Sequence, residues 1–155
     1  MCKEKFMRQA IELAVENVAN GGGPFGAVIV RGDEVVATGV NRVTASCDPT
    51  AHAEVSAIRR ACAEQHTFDL SGCEIYTSCE PCPMCLGAIY WAHIDKIYYG
   101  CTKDDAAEAG FDDSFIYKEL SLDYASRSKH IEALLSEEAR ATFEAWKAQS
   151  DKVEY

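Results

Sequence analysis

The sequence predicts an α/β layered domain, on three observations. Two runs rich in β-branched residues, 25–30 and 35–40, flank Arg31-Gly32-Asp33-Glu34, a hairpin pattern. Two strand-like segments each lead through a short connection into a helix-like one. The chain opens on apolar positions at helical spacing.

Taken in order, Met7, Ala10, Ile11, Ala14, Val15 and Val18 recur at i, i+3, i+4 and make one face of an amphipathic helix. Gly21-Gly22-Gly23-Pro24 ends it, since neither residue type continues a helix. The hairpin follows, and residues 41–47 read as polar loop. Asp48-Pro49 then offers an N-cap with proline at the first helical position, and a second helix runs on through Val55, Ile58, Ala61 and Cys62. Residues 74–77 form a third strand, 96–100 a fourth, and the apolar run 86–91 between them a buried helix. From 102 to 128 the periodicity weakens into short helices and loops. Residues 131–135 fit either a fifth strand or a helical turn, and Ser136-Glu137-Glu138 starts a last helix with Ala139, Phe143 and Trp146 on one stripe.

The composition narrows the class. The chain has 155 residues, 48% hydrophobic and 26% charged, enough for one sizeable core and cramped for two domains. A net charge of −10 repels phosphate backbones and anionic surfaces, so a nucleic-acid or membrane partner is disfavoured. No apolar run approaches spanning length and the start lacks a leader-like apolar segment, so a cytoplasmic location is expected. Eight cysteines in a reducing compartment point to metal or catalytic use for the patterned pair and to small apolar packing residues for the rest.

That pair is Cys82 and Cys85, in Pro81-Cys82-Pro83-Met84-Cys85. The prolines place both thiols in or beside the first turn of the buried helix, where the helix dipole favours thiolate. Two sulfurs hold a zinc ion but leave the tetrahedron incomplete. His52, with Glu54 two positions on, is the candidate third ligand. Taken alone, a histidine at a helix start is a capping or surface residue; the neighbouring Glu54 and the later Cys pair raise it. Three ligands leave one corner open, the mark of a catalytic site. Cys79, Cys82 and Cys85 also open an iron–sulfur cluster pattern, which fails because the next position is Ile89. A structural zinc with Cys79 or Cys101 as fourth ligand is a further alternative, and it leaves Glu54 without a role.

His52-Ala53-Glu54 with Pro81-Cys82-Pro83-Met84-Cys85 resembles the signature of the zinc-dependent nucleobase deaminases of the cytidine-deaminase superfamily. The similarity extends through Gly22-Gly23-Pro24-Phe25-Gly26-Ala27-Val28, Asn41, Asp48-Pro49-Thr50-Ala51 and Cys85-Leu86-Gly87-Ala88-Ile89-Tyr90-Trp91. Phe111-Asp112-Asp113-Ser114 and the terminal Glu154-Tyr155 resemble the branch of the superfamily that acts on guanine. The resemblance implies a three-layer α/β/α domain with a mixed sheet of about five strands. It implies a single deaminase domain over 1–155, with 136–155 a helix and tail that closes the active site of its own or a partner subunit in a homodimer. It implies one zinc per subunit on His52, Cys82 and Cys85, lowering the pKa of bound water to about 7, with a small purine base as substrate. Glu54 is then the proton shuttle to the ring nitrogen beside the attacked carbon, C2 of guanine, and Asp113 the second catalytic carboxylate, with Asp112 as fallback. Asn41 suits the O6/N7 edge of the purine, while Phe25, Ala53, Trp91 and Tyr155 complete the substrate contacts. The same signature is shared by tRNA adenosine deaminases and cytosine deaminases, and a zinc-stabilised interaction module without turnover is the alternative outside enzymes.

Overall fold

The structure is a computed structural model and describes residues 2–155. Helix α1 (Cys2–Ala19) leads into β1 (Gly26–Arg31) and β2 (Glu34–Val40), joined at the expected two-residue turn. A short helix α2 (Val43–Ser46) precedes α3 (Ala53–Gln65), β3 (Cys73–Cys79), α4 (Pro83–Trp91), β4 (Lys96–Cys101) and α5 (Lys103–Glu108). The sheet order is β2-β1-β3-β4. The β1 strand is antiparallel to both neighbours, and β3 runs parallel to β4, so the sheet is mixed as expected.

Side-chain alternation along the central strands divides the core into two layers. Ala27, Ile29 and Ile75 pack on one face with Ala53, Ala57 and Ala61 of α3 and Ile89 of α4. Val28, Val30 and Tyr76 pack on the other with Phe6 and Ala10 of α1. One helix therefore covers one face and two cover the other, which gives the three layers. The close fit of α3 needs a glycine in β2: a Cβ on Gly39 would lie 2.2 Å from the Ala53 carbonyl oxygen and 2.5 Å from the Ala57 nitrogen.

Four expectations are corrected, the first being that the helix over 86–91, expected to be buried, buries only Ile89 of that run and leaves Tyr90 and Trp91 exposed. The described residues form a sheet of four strands, not about five, because Ile131, Leu134 and Leu135 stand exposed and Leu135 takes a left-handed φ of 54°. Apolar character without alternation or a pairing strand fixes no strand there. The second helix starts at Ala53 rather than at Asp48-Pro49. Asp48 instead closes a local turn, its Oδ1 accepting from the Thr50 N–H at 2.8 Å and the Thr50 hydroxyl at 2.7 Å. The stretch 41–47, expected as loop, holds α2, a single turn with no buried residue.

Two compact units divide the chain, the first ending at Ser114 and the second Phe115–Tyr155. Within the second, α6 (Ser114–Leu120) leads to a 3₁₀ turn (Tyr124–Ser126) and α7 (Ser136–Ala148). Asp123 caps the 3₁₀ turn through the Ser126 N–H, and the Arg127 guanidinium lies 4.8 Å from the Tyr124 ring centre. The expected last helix is present, with Phe143 and Trp146 of its apolar stripe exposed.

Candidate active site and metal centre

The site forms where the N-termini of α3 and α4 meet. Each helix begins on an N-cap residue in extended conformation: His52 (φ −68°, ψ 161°) for α3 and Cys82 (φ −66°, ψ 167°) for α4. An N-cap side chain ordinarily accepts a bond from its own helix. Neither His52 nor Cys82 does so, and both turn toward a common point instead. Pro83 follows Cys82 at the first helical position, where its missing N–H costs nothing. Cys85 lies two residues further, in the same turn as Pro83.

His52 Nδ1 is 3.5 Å from the Sγ of Cys82 and 3.5 Å from that of Cys85. A tetrahedral zinc with ordinary bonds of about 2.3 Å to sulfur and about 2.0 Å to nitrogen spaces N and S about 3.6 Å apart. The donor set therefore has the size and chemistry of a zinc site. Among the described residues it is the one group of three such donors within 4.8 Å of one another. Cys79 is outside the group, and its thiol donates to the Thr102 carbonyl at 3.5 Å. Burial raises the Cys79 pKa to about 11. Among the described residues no fourth side chain joins the set, which answers the alternative of a structural site with four ligands.

The electrostatics also call for a cation. A hydrogen bond from the Cys85 thiol holds Cys82 well below the usual thiol range, with His52 helping. The same bond, with burial, pushes Cys85 up. The bond to Cys82 raises His52. Glu54, only 8% exposed, is pushed up chiefly by burial, and its Oε2 accepts from the Cys85 thiol at 3.3 Å. Three acidic groups thus crowd one largely buried corner, where a divalent ion together with the two helix dipoles would balance them.

Above this corner opens a cavity of about 560 Å³. It brings together six of the residues singled out in the sequence: Phe25, Asn41, His52, Glu54, Cys82 and Asp113. Cys85 is fully buried beneath it. Ala53, the first residue of α3, does not line the cavity and is buried between His52 and Glu54 in the chain; its N–H has no backbone or side-chain partner among the described residues, as expected at a helix start. Burial raises the pKa of Asp113, with the nearby charges of Cys82 and Asp112 adding to it. Asp112 lines the same cavity but accepts from the Ser114 N–H at 2.9 Å, a bond that commits it to the turn before α6. Asn41 Oδ1 accepts from the Val43 N–H at 3.2 Å.

Trp91 is not brought in with this group. It ends α4, nine residues from Cys82 and so about 13 Å along the helix, and is 68% exposed. Tyr155 belongs to the second unit. One wall residue is given no role by the sequence, although it stands in the segment that carries the resemblance: Phe111, whose ring meets Phe25 edge-on with centroids 5.0 Å apart. Its place immediately before Asp112-Asp113 is the available signal. A second, Lys103, lines the cavity at the start of α5, where its N–H donates to Glu80 Oε2 at 3.0 Å.

Comparison with known proteins agrees with this geometry. Residues 1–101 match the family model described as the cytidine and deoxycytidylate deaminase zinc-binding region. The chain is similar to a guanine deaminase of Bacillus subtilis, with 51% identity over 156 residues and all of both chains covered. Its fold is similar to the X-ray structure of guanine deaminase from Bacillus subtilis, with a TM-score of 0.95, 52% identity and 98% of each chain covered. Similarity to a tRNA-specific adenosine deaminase of Aquifex aeolicus is 40% over 99 residues, covering 64% of this chain and 66% of that protein.

Proposed function

The chain belongs to the cytidine and deoxycytidylate deaminase family, and from that premise we propose that it removes the amine of guanine by hydrolysis, giving xanthine and ammonia. The observation that carries this reading is the site itself, a His/Cys/Cys corner beside a buried carboxylate at the floor of a 560 Å³ cavity. The similarity to a guanine deaminase runs the whole length of the chain at 51% identity, and this favours guanine over the tRNA alternative, whose sequence match is 40% identical over 64% of the chain.

One zinc per subunit on His52, Cys82 and Cys85 would supply a water acidified to a pKa of about 7. The remaining work falls to the protein. Glu54 takes a proton from the attacking water and hands it to N3 of the base, and as the C2–N bond breaks the proton of the new C2 hydroxyl passes to the amine, which leaves as ammonia. Its burial, which raises its pKa above the ordinary carboxylate range, favours it as a carrier of that proton. Asp113, on the opposite edge, accepts a hydrogen bond from N1–H or shuttles the C2 hydroxyl proton to the leaving amine. The turn that occupies Asp112 supports Asp113 over its neighbour. The Asn41 amide meets the O6/N7 edge, Phe25 packs against the ring, and the Ala53 N–H points a donor into the site from the first turn of α3. Trp91 and Tyr155 are assigned to the assembled homodimer, in which the helix and tail at 136–155 close the cavity of their own or the partner subunit. The exposed Phe143 and Trp146 of α7 support that assembly, since such a stripe calls for a surface to cover it. We place the enzyme in the cytoplasm, with a free purine base rather than nucleic acid as its partner.

A substrate panel with ammonia readout tests the reading. Guanine is expected to be turned over, with cytosine and a tRNA anticodon stem inert. Turnover of the anticodon stem without turnover of guanine would replace this reading with the tRNA one.

A further inference from the structure

We propose that Asn17, on α1, is a positioning residue for substrate selection, acting through Asn41. The inference rests on the reading above, in which the Asn41 amide meets the base. Asn17 Nδ2 donates to the Gly23 carbonyl at 2.8 Å and to the Asn41 carbonyl at 2.9 Å. Both amide protons are thereby used, and the two loops they hold are the glycine-rich turn after α1 and the residue that follows β2. The Asn17 backbone carbonyl also accepts from the Gly22 N–H at 2.8 Å, so one residue grips the glycine turn at two points.

The glycines are what allow this approach. A Cβ on Gly22 would lie 2.4 Å from Asn17 Nδ2, and one on Gly23 would lie 3.0 Å from Asn41 Cγ. The Gly23 backbone therefore packs directly against the Asn41 amide. With Oδ1 held by the Val43 N–H at 3.2 Å, the amide has its oxygen end fixed. Its Nδ2 has no hydrogen-bond partner among the described residues. Gly21, Gly22 and Asn41 line both the substrate cavity and a second cavity of about 330 Å³ behind it, which Asn17 also lines. Asn17 thus ties together the wall that separates the two.

The selectivity follows from the inventory of donors. Guanine presents two acceptors, O6 and N7, where an amine at C6 would present a donor. An asparagine whose oxygen end is fixed and whose NH2 is the open end favours the first pattern. Asn17 holds the backbone on both sides of that amide, so its release lets Gly23 draw back and the Asn41 backbone shift; the Oδ1 bond to Val43 then loosens, the amide can turn its oxygen to the base, and discrimination at C6 weakens. The direct chemistry at C2 is untouched, because Asn17 contacts neither Glu54 nor the zinc ligands.

The test is a cycle of Asn17→Asp, Asn41→Ala and the double variant. Its readouts are binding of 8-azaguanine, steady-state kinetics on guanine and on 2,6-diaminopurine, and zinc content. Asn17→Asp is isosteric but turns two donors into acceptors facing two carbonyls. The expected result is a rise of about tenfold in KM and in the 8-azaguanine Kd, with kcat within about threefold. The preference for guanine over 2,6-diaminopurine should fall, and Asn17→Asp should add nothing in the Asn41→Ala background. Additive effects, or an unchanged preference between the two bases, would overturn the proposal. Asn17→Ser, which leaves one donor and no charge, serves if the aspartate variant does not fold; it should show the same pattern at smaller amplitude. The reading of function fails separately, if the parent chain binds 8-azaguanine and obeys the cycle yet releases no ammonia from guanine.

Discussion

Two helix starts make this site, and they differ in what they contribute. At the start of α3, His52 and Glu54 bring one ligand and one proton carrier. At the start of α4, Cys82 and Cys85 bring two sulfurs and no carboxylate. The backbone device is the same in both: an extended N-cap whose side chain is released from capping, aimed along a positive helix end. The comparison teaches that the fold supplies a convergent pair of dipoles, while the choice of side chain within each first turn divides holding a metal from handling a proton.

Removing a sulfur from α4 should break that division most completely. Cys82→Ala is expected to lose zinc, as read by elemental analysis of unchelated protein, and with it all measurable turnover; retention of a full metal equivalent would show that the ligand set is drawn wrongly. On the α3 side, Glu54→Gln is expected to keep the metal and lose rate by roughly 10²–10⁴, so that the two helix starts separate cleanly in a plot of zinc content against kcat. Asp113→Asn is expected to slow deamination by about 10² with the thermal midpoint close to the parent's, because its carboxylate lines the cavity and forms no ion pair among the described residues. Wild-type kinetics would return it to the loop. Gly39→Ala sharpens the comparison from behind. Its Cβ would strike the Ala53 carbonyl, shifting α3 and leaving α4 seated. A loss of about 1–3 kcal/mol in unfolding free energy is expected, along with weaker zinc retention; calorimetry with metal analysis checks both.

Much of the fold is legible in the sequence because the signals are local. The spacing of Ala10 and Ala14 and the hairpin around Gly32 are patterns that packing then uses, whereas the apolar run before Trp91 forms its helix but buries only Ile89. The start of α3 is set too early by the sequence because Asp48-Pro49 has the chemistry of a helix cap. Asp48 spends that chemistry on Thr50, ahead of the helix. Ile131 to Leu135 suit strand and helix equally in the sequence, since apolar residues without period or partner define no element. Within the site, the metal donors and Glu54 are legible from spacing and resemblance. Phe111 is legible only through its place in the resemblance, and Asn17 not at all, because an asparagine on a helix carries no pattern of its own.

What the sequence determined by itself is the chemistry: the donor types, their place at helix starts, and the strands and helices that carry them. These are properties of residues close in the chain, where spacing alone dictates who shares a turn. Only the tertiary structure decided that 52 and 82 meet, that Glu54 is dry, and that Asn17 reaches across to 23 and 41. Those outcomes depend on how layers stack over a sheet, and on glycines that allow backbones to approach. Neither is written in any window of the sequence short enough to read as a motif.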